Sequence, residues 1–261
     1  MAIDAPAGKS QRPSWASETP TLSFATGAAM KVAVINFSGN VGKTTIARHL
    51  LAPRIEGARV IAIESLNADD GQAQALRGRQ FGELQEYLQT VDNVVVDIGA
   101  SNVEELLSLM RRYRGSHEDF DYFVIPTVPP LKQQQDTIAT LAELTRIGIA
   151  ASKLKVVFNQ VEDDARVSEA FDTLLAFIDE NPPTQANPLC RLGVNEIYER
   201  VKGADIGLAD LASDETDYKA LIAKARDTAD KIAWAQKLAT RRLASGVVPE
   251  LDECFAALDL R

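Results

Sequence analysis

The sequence has few of the residues that build metal sites and disulfide frameworks. It contains two cysteines, Cys190 and Cys254, and two histidines, His49 and His117. The cysteines lie far apart and lack metal-site spacing, so we expect free thiols in a reducing, cytoplasmic compartment. Two histidines are too few for a histidine-built metal site.

Long apolar runs and excess positive charge are also lacking. No apolar run approaches the roughly 18 residues that indicate a membrane-spanning helix. The net charge is −9, from 28 basic and 37 acidic residues. Such a chain is not an obvious sequence-independent DNA binder, because phosphate contacts need clustered Lys and Arg, although a local basic patch leaves direct DNA binding open. The 46% hydrophobic content over 261 residues suits one α/β domain with a large core.

The first 29 residues differ in composition from the rest. They are rich in Ala, Ser, Thr, Pro and Gly, their charges cancel, and they lack the apolar core of a signal peptide. Met30 stands immediately before the first predicted strand. We predict that residues 1–29 are a disordered leader or an expression remnant, and that residues 30–261 form a single domain with a C-terminal helical segment.

Residues 31–51 organise the chain. A buried strand is predicted over residues 31–36, the turn GNVGKTT follows, and a helix then runs until Pro53. This is the layout of a phosphate-binding loop, in which glycines let backbone N–H groups point inward and the helix N-terminus adds positive charge. Lys43 is expected on the outer phosphates and the Thr44 hydroxyl on Mg²⁺. The residues expected to bind the nucleotide here are Gly39, Asn40, Val41, Gly42, Lys43, Thr44 and Thr45. The plainer alternative is a glycine turn with a solvated lysine.

A second candidate site residue is Asp97. Three valines lead into it within the predicted strand at residues 93–98. A carboxylate delivered to the end of a buried strand has the geometry of a Walker B motif, which holds Mg²⁺ against the phosphates. The alternative is an ordinary strand-ending turn residue. Asn102 or Ser101 is predicted to cap the helix over residues 103–112.

Strands and helices alternate along the chain, which predicts an α/β fold with a mainly parallel sheet and helices on both faces. Residues 39–45, 64–71 and 97–102 then lie at the carboxyl ends of strands, where ligands bind in open α/β sheets. Residues 189–192 are predicted as a short edge strand. A long helix capped by Ser213 is predicted to end at Gly246 and Pro249.

The loop resembles the deviant Walker A motif K-G-G-x-G-K-T-T of the ParA/MinD class of P-loop ATPases. Five residues match that motif: Gly39, Gly42, Lys43, Thr44 and Thr45. Ser38 replaces the signature lysine, and Asn40 replaces the second glycine. Within the class, the sequence looks most like StbB-type proteins of plasmid stability and conjugation.

The resemblance implies ATP and Mg²⁺ as cofactors, with Lys43, Asp97 and Glu64 in catalytic roles. Glu64 stands where the family has the first Asp of D-x-D, whereas Leu66 replaces the second; Asp69 or Asp70 is a weaker substitute. Asn159, at the end of the fifth predicted strand, fits the place of an adenine-binding Asn, with a turn residue as the alternative.

The resemblance also implies a homodimer formed on ATP and a DNA-binding partner protein. A role in plasmid partition, stability or conjugative transfer follows from it. Because Ser38 cannot supply the charge of the signature lysine, slow intrinsic hydrolysis and weak ATP-dependent dimerisation are expected.

Two other functions remain open. One is a small-molecule phosphotransferase or amidoligase, which needs a second cationic pocket; the candidates for it are Arg111, Arg112 and Arg114. The other is a nucleotide-binding scaffold with little hydrolysis, which the replacement of the signature lysine and of the second Asp favours.

Overall fold

The structure is a computed structural model, and it describes residues 29–63, 73–163, 166–181, 186–204 and 206–261, with only the backbone of residues 73–79. Its described strands form one six-stranded sheet in the order β2-β3-β1-β4-β5-β6. Every neighbouring pair is parallel, which confirms the predicted mainly parallel sheet. The strands are β1 (Met30–Val34), β2 (Arg59–Ile63), β3 (Asn93–Ile98), β4 (Tyr122–Thr127), β5 (Leu154–Val161) and β6 (Arg191–Gly193).

Helices follow most strands and return the chain to the amino edge of the sheet. Helix α1 (Lys43–Thr45) continues into π-helical turns over Ile46–Leu51, and a 3₁₀ turn at Ala52–Arg54 ends this segment, with Pro53 inside that turn. The others are α2 (Ala73–Leu88), α3 (Val103–Arg112), α4 (Leu131–Ile147), α5 (Val167–Ala170), α6 (Asp172–Glu180), α7 (Ile197–Arg200), α8 (Leu208–Ala212), α9 (Tyr218–Lys224) and α10 (Thr228–Leu258).

Two apolar cores lie on opposite faces of the sheet. Successive strand residues alternate between them, so that Ala33 and Ile35 join one core while Val32 and Val34 join the other. The core that we call the α4 face includes Phe81, Leu84, Leu107, Met110, Leu141, Leu144, Leu174 and Ile178. The α10 face includes Ile46, Ala47, Leu50, Leu51, Val247, Leu251, Cys254 and Leu258. Burial on both faces explains the continuous apolar runs of the strands.

The C-terminal helical segment corrects one prediction. The helix does not end at Gly246 and Pro249, because α10 runs through both residues to Leu258. It is also separate from α9, whose N-cap is Asp217 rather than Ser213. An internal proline costs a helix about 3 kcal/mol or more. Burial of Val247, Leu251 and Leu258 against the sheet offsets that cost.

The predicted edge strand is present as β6. The backbone N–H of Gly193 donates to a carboxylate oxygen of Glu250 on α10, while Val194 N–H donates to Val161 O of β5. Neighbouring N–H groups of a strand point in opposite directions, so the Glu250 contact lies on the outer side of β6.

The strand order places the candidate site. Strand β1 lies between β3 and β4, and the chain first crosses to β2 and β3 before it returns past β1 to β4. The order therefore reverses beside β1. The crevice at the carboxyl ends of strands around such a reversal is where open α/β sheets bind ligands.

Candidate functional site

The loop after β1 has the backbone of a tight anion-binding turn. Asn40 and Gly42 both adopt left-handed conformations, with φ of 56° and 88°. Asn tolerates this region better than most residues, which explains how it stands in the place of a glycine. A Cβ on Gly42 would lie 2.2 Å from Asn159 Nδ2, so this position requires glycine for space as well.

The loop fits a phosphate group. Within the part of the chain that the structure describes, the backbone N–H groups of residues 39–42 donate to no protein acceptor. They precede the N-terminus of the α1 helical segment, where aligned peptide dipoles favour negative charge. Unused donors beside a helix start form a cradle for an anion.

Lys43 is folded back onto the start of its own loop. Its Nζ donates to the carbonyl oxygens of Ser38 at 2.6 Å and of Asn36 at 3.2 Å, and the residue is 8% exposed. Burial lowers the pKa of the Lys43 ammonium, and the nearby Asp97 carboxylate offsets part of that shift. The cation is thus held at the carboxyl edge, and none of the described carboxylates contacts it directly.

Thr44 and Asp97, the two residues predicted to hold Mg²⁺, contact each other directly. Strand register places Asp97 opposite Val34, and the Thr44 hydroxyl donates to Asp97 Oδ2 at 2.6 Å. Hydroxyl and carboxylate oxygens are ligands that Mg²⁺ accepts. Among the described residues no group of three or more His, Cys, Asp or Glu is placed to hold a metal. A magnesium ion here would therefore also need phosphate and water oxygens, as in sites that share substrate phosphates.

The turn after β3 is tied to the end of β2. The Ile63 carbonyl accepts hydrogen bonds from Gly99 N–H at 3.1 Å and from Asn102 Nδ2 at 2.9 Å. Helix α3 has the predicted bounds and Asn102 is its N-cap residue, but the Asn102 side chain makes no capping hydrogen bond and donates to Ile63 O instead. Four residues considered in this region, Glu64, Leu66, Asp69 and Asp70, lie outside the described residues.

Asn159 contacts the loop directly. Its Nδ2 donates to Val41 O at 2.9 Å, and the residue is 4% exposed. The next residue, Gln160, is left-handed with φ of 57°. Asn159 therefore supports the loop in this structure, and its role toward adenine stays a prediction.

Ser38 faces its own chain. It is 3% exposed, and its hydroxyl lies beside the Asp136 carboxylate of α4. Lys132 binds the same carboxylate at 2.7 Å. The pKa of Asp136 is held below its usual value mainly by the Lys132 hydrogen bond, with Ser38 contributing.

The sequence analysis missed Asn36, Thr137 and Thr140. All three are fully buried polar residues beside the loop. Asn36 carries a weak signal, since an amide closes an otherwise apolar strand. Thr137 and Thr140 are three residues apart on one helix face, which is typical of a polar stripe.

Comparisons with known proteins identify folds of similar layout. No family model matches the chain, and no curated protein matches its sequence. The MinD cell division protein of Aquifex aeolicus is 12% identical, with 83% of this chain and 98% of that chain covered and a TM-score of 0.47. Apo McdA of Cyanothece is 15% identical, with 80% and 99% covered and a TM-score of 0.49. The pnob8 ParA protein is 12% identical, with 85% and 98% covered and a TM-score of 0.43. Values this low carry no argument about binding or activity.

Among the described residues, no helix combines the length and the apolar character that crossing a bilayer requires.

Proposed function

We propose that the chain is a Mg-ATP-binding ATPase of ParA type that works as a nucleotide-dependent switch. The observation that carries this proposal is the constellation of Lys43, Thr44 and Asp97 beside a loop with unused N–H donors. All of it lies at the carboxyl edge of a parallel sheet. These groups have the chemistry to bind a polyphosphate together with a divalent cation.

Each residue has a definite task in this proposal. The N–H groups of residues 39–42 bind phosphate oxygens, and Lys43 leaves its carbonyl partners to contact the outer phosphates. Thr44 and Asp97 hold Mg²⁺, which neutralises charge that develops on the phosphates. Asn159 fixes the loop at Val41 and stands at the place where a base would be read. Glu64 is proposed as support for the magnesium shell.

The biological role proposed is plasmid partition, plasmid stability or conjugative transfer in the cytoplasm. Its support is the resemblance of the loop to StbB-type and other ParA-like sequences. The same resemblance supports a homodimer on ATP and a DNA-binding partner protein. Residues 1–29 are proposed to lie outside the ATPase domain.

A nucleotide-binding scaffold with little hydrolysis is the second candidate. The buried contact of Ser38 with Asp136 favours it, because the position of the signature lysine carries no cation and points to α4. The phosphotransferase gains no support, since Arg111 is ion-paired with Glu143 near the end of α3, which runs from the carboxyl edge to the amino edge.

Titration calorimetry with ATP, with and without Mg²⁺, tests the proposal. Lys43→Ala should weaken Mg-ATP binding at least about 100-fold, because each charge-assisted hydrogen bond is worth about 1.5–3 kcal/mol. Lys153→Ala is the matched control, since Lys153 also donates to a backbone carbonyl, Phe120 O, but lies before β5 at the amino edge. Normal ATP binding by Lys43→Ala would overturn the phosphate-loop assignment.

Asp97→Ala tests the magnesium site. We expect a loss of about 10- to 100-fold in the Mg-dependent part of ATP affinity and little change without Mg²⁺. Equal losses in both conditions would contradict a role through the ion. Phosphate release by the unmodified protein at about 1 s⁻¹ or faster, the low end of the kinase range, would exclude the scaffold and would also contradict the slow intrinsic hydrolysis expected from Ser38.

A further inference from the structure

The base of the loop, residues 36–38, is held by one buried side chain. Asn36 Nδ2 donates to Pro126 O of β4 and to Thr137 Oγ1 of α4, both at 2.8 Å. Its Oδ1 accepts from Ser38 N–H at 2.7 Å. The amide thus uses both donors and its acceptor, and it fixes the two residues whose carbonyls bind Lys43.

Helix α4 contributes a second contact to the same base. The N–H of Phe37 donates to Thr140 Oγ1 at 3.1 Å, one turn along from the Thr137 contact. Both threonines already donate to carbonyls of their own helix, Gln133 O and Asp136 O. Thr137 Oγ1 also lies within hydrogen-bond distance, 3.0 Å, of Thr127 Oγ1 on β4. The oxygen lone pairs of Thr137 and Thr140 accept the hydrogen bonds from the loop base.

A threonine elsewhere on α4 shows what the helix alone requires. Thr145 donates to Leu141 O at 2.8 Å in the same back-bonding arrangement and lies on the exposed side of α4. Helix geometry therefore accounts for the donor bonds of Thr137 and Thr140 but not for the bonds that they accept from residues 36 and 37.

We infer that Asn36, Thr137 and Thr140 are positioning residues. They couple the conformation of the loop base, and through it the position of Lys43, to the position of α4. The inference deepens the proposed function and rests on it, because it takes Mg-ATP to be the ligand of the loop. A loop tied to a helix through two hydrogen bonds to buried threonines moves with that helix. By linkage, an α4 position that favours the nucleotide-competent loop is itself favoured by the nucleotide.

The test uses three variants of the full chain. Thr137→Val removes the acceptor of the Asn36 amide at nearly constant shape, Thr137→Ser keeps the hydroxyl, and Thr145→Val is the matched control on the same helix. Hydrogen exchange without nucleotide reports the loop, and calorimetry with Mg-ATP reports the site.

Thr137→Val should speed exchange of residues 36–45 and weaken Mg-ATP binding, each about tenfold, because a buried donor loses its partner. Thr137→Ser should restore both values, and Thr145→Val should change neither. In the unmodified protein, Mg-ATP should slow exchange in residues 131–147, and Thr137→Val should reduce that protection.

Equal exchange of residues 36–45 in Thr137→Val and Thr145→Val would overturn the inference. Uniform acceleration over the whole chain would also overturn it, because Thr137 would then act only on global stability. Failure of the unmodified protein to bind Mg-ATP would overturn the proposed function instead, and the exchange data without nucleotide would still decide the link to α4.

Discussion

The loop after β1, which we propose to bind phosphate, is held on its two sides by different chemistry. Toward α4 the contacts are hydrogen bonds from Asn36 and Phe37 to the buried Thr137 and Thr140, and Ser38 lies beside the partly exposed Asp136. Toward α10 the contacts are apolar, between the segment Ile46–Leu51 and the buried stripe of α10. The residues before the loop are therefore held by directional hydrogen bonds, and the residues after it are held by non-directional apolar contacts.

This difference assigns the stability of the fold and the position of the loop residues to different contacts. Apolar burial contributes about 25 cal/mol per Å² and tolerates small shifts of the partners. Hydrogen bonds contribute less in net terms but weaken steeply with distance and angle, so they fix position. We expect the apolar α10 face to supply much of the folding free energy around the loop. We expect the hydrogen bonds between the loop base and α4 to set the geometry of Lys43.

The largest expected effect comes from a cavity in the α10 face. Leu251→Ala should lower the free energy of unfolding by about 2–5 kcal/mol, since Leu251 is almost fully buried. Mg-ATP affinity of the folded protein should stay within about twofold, below the tenfold step of about 1.4 kcal/mol. Urea unfolding and calorimetry measure the two quantities, with Ile232→Ala as control at an exposed position of α10. A large loss of Mg-ATP affinity would show that the α10 face also sets the geometry of the site.

Gly42→Ala should have the next largest effect, and on affinity. The left-handed backbone costs a side chain about 1–2 kcal/mol, and the new Cβ would displace Asn159 from Val41. We expect Mg-ATP affinity to fall more than about tenfold by calorimetry. Gly246→Ala on α10 is the control, because a Cβ there meets nothing within 4 Å and its φ is not left-handed. Equal losses from both variants would contradict the assigned role of Gly42.

The sequence predicted the strands and helices because these depend on local patterns. Alternating apolar strands and helices indicated the parallel sheet, and the position of Lys43, Thr44 and Asp97 at strand ends indicated that they lie at one edge of it; their roles toward a nucleotide stay predictions. The polar contacts of the α4 face were missed because Asn36 and Thr137 are 101 residues apart in sequence. The path of α10 through Pro249 was missed because tertiary burial overrides a local helix breaker.

Ser38→Lys tests the α4 side at the position where ParA-like loops carry the signature lysine. The new cation would lie against Asp136 and pair with it, so we expect a small gain in phosphate release, well below the roughly 10³-fold that a freely supplied cation gives. Ser38→Lys combined with Asp136→Asn should hydrolyse faster and dimerise better with ATP. Steady-state phosphate release and ultracentrifugation measure both. A single variant as active as the double one would show that Asp136 does not hold residue 38.

The smallest expected effect is on acid stability at the α10 side. Burial, with a smaller contribution from Arg48, lowers the pKa of His49 below its ordinary 6.5, and its ring packs on Tyr198. The unfolded chain then binds the proton more readily, so this contribution is neutral well above pH 6.5 and destabilises as pH falls below it. His49→Gln should reduce the drop in melting temperature between about pH 7.5 and about pH 5.5. An unchanged drop would assign the acid sensitivity to other groups.

The carboxylate of Glu250 on the outer N–H of Gly193 has a consequence for how copies of the chain meet in concentrated solution. An edge strand with unused N–H and C=O groups is a template on which another chain can add a strand. Strand β6 is short, and α10 already provides the acceptor for one of its outward donors. A neighbouring molecule that paired there would have to displace a charged side chain first, so this edge of the sheet is protected against edge-to-edge aggregation.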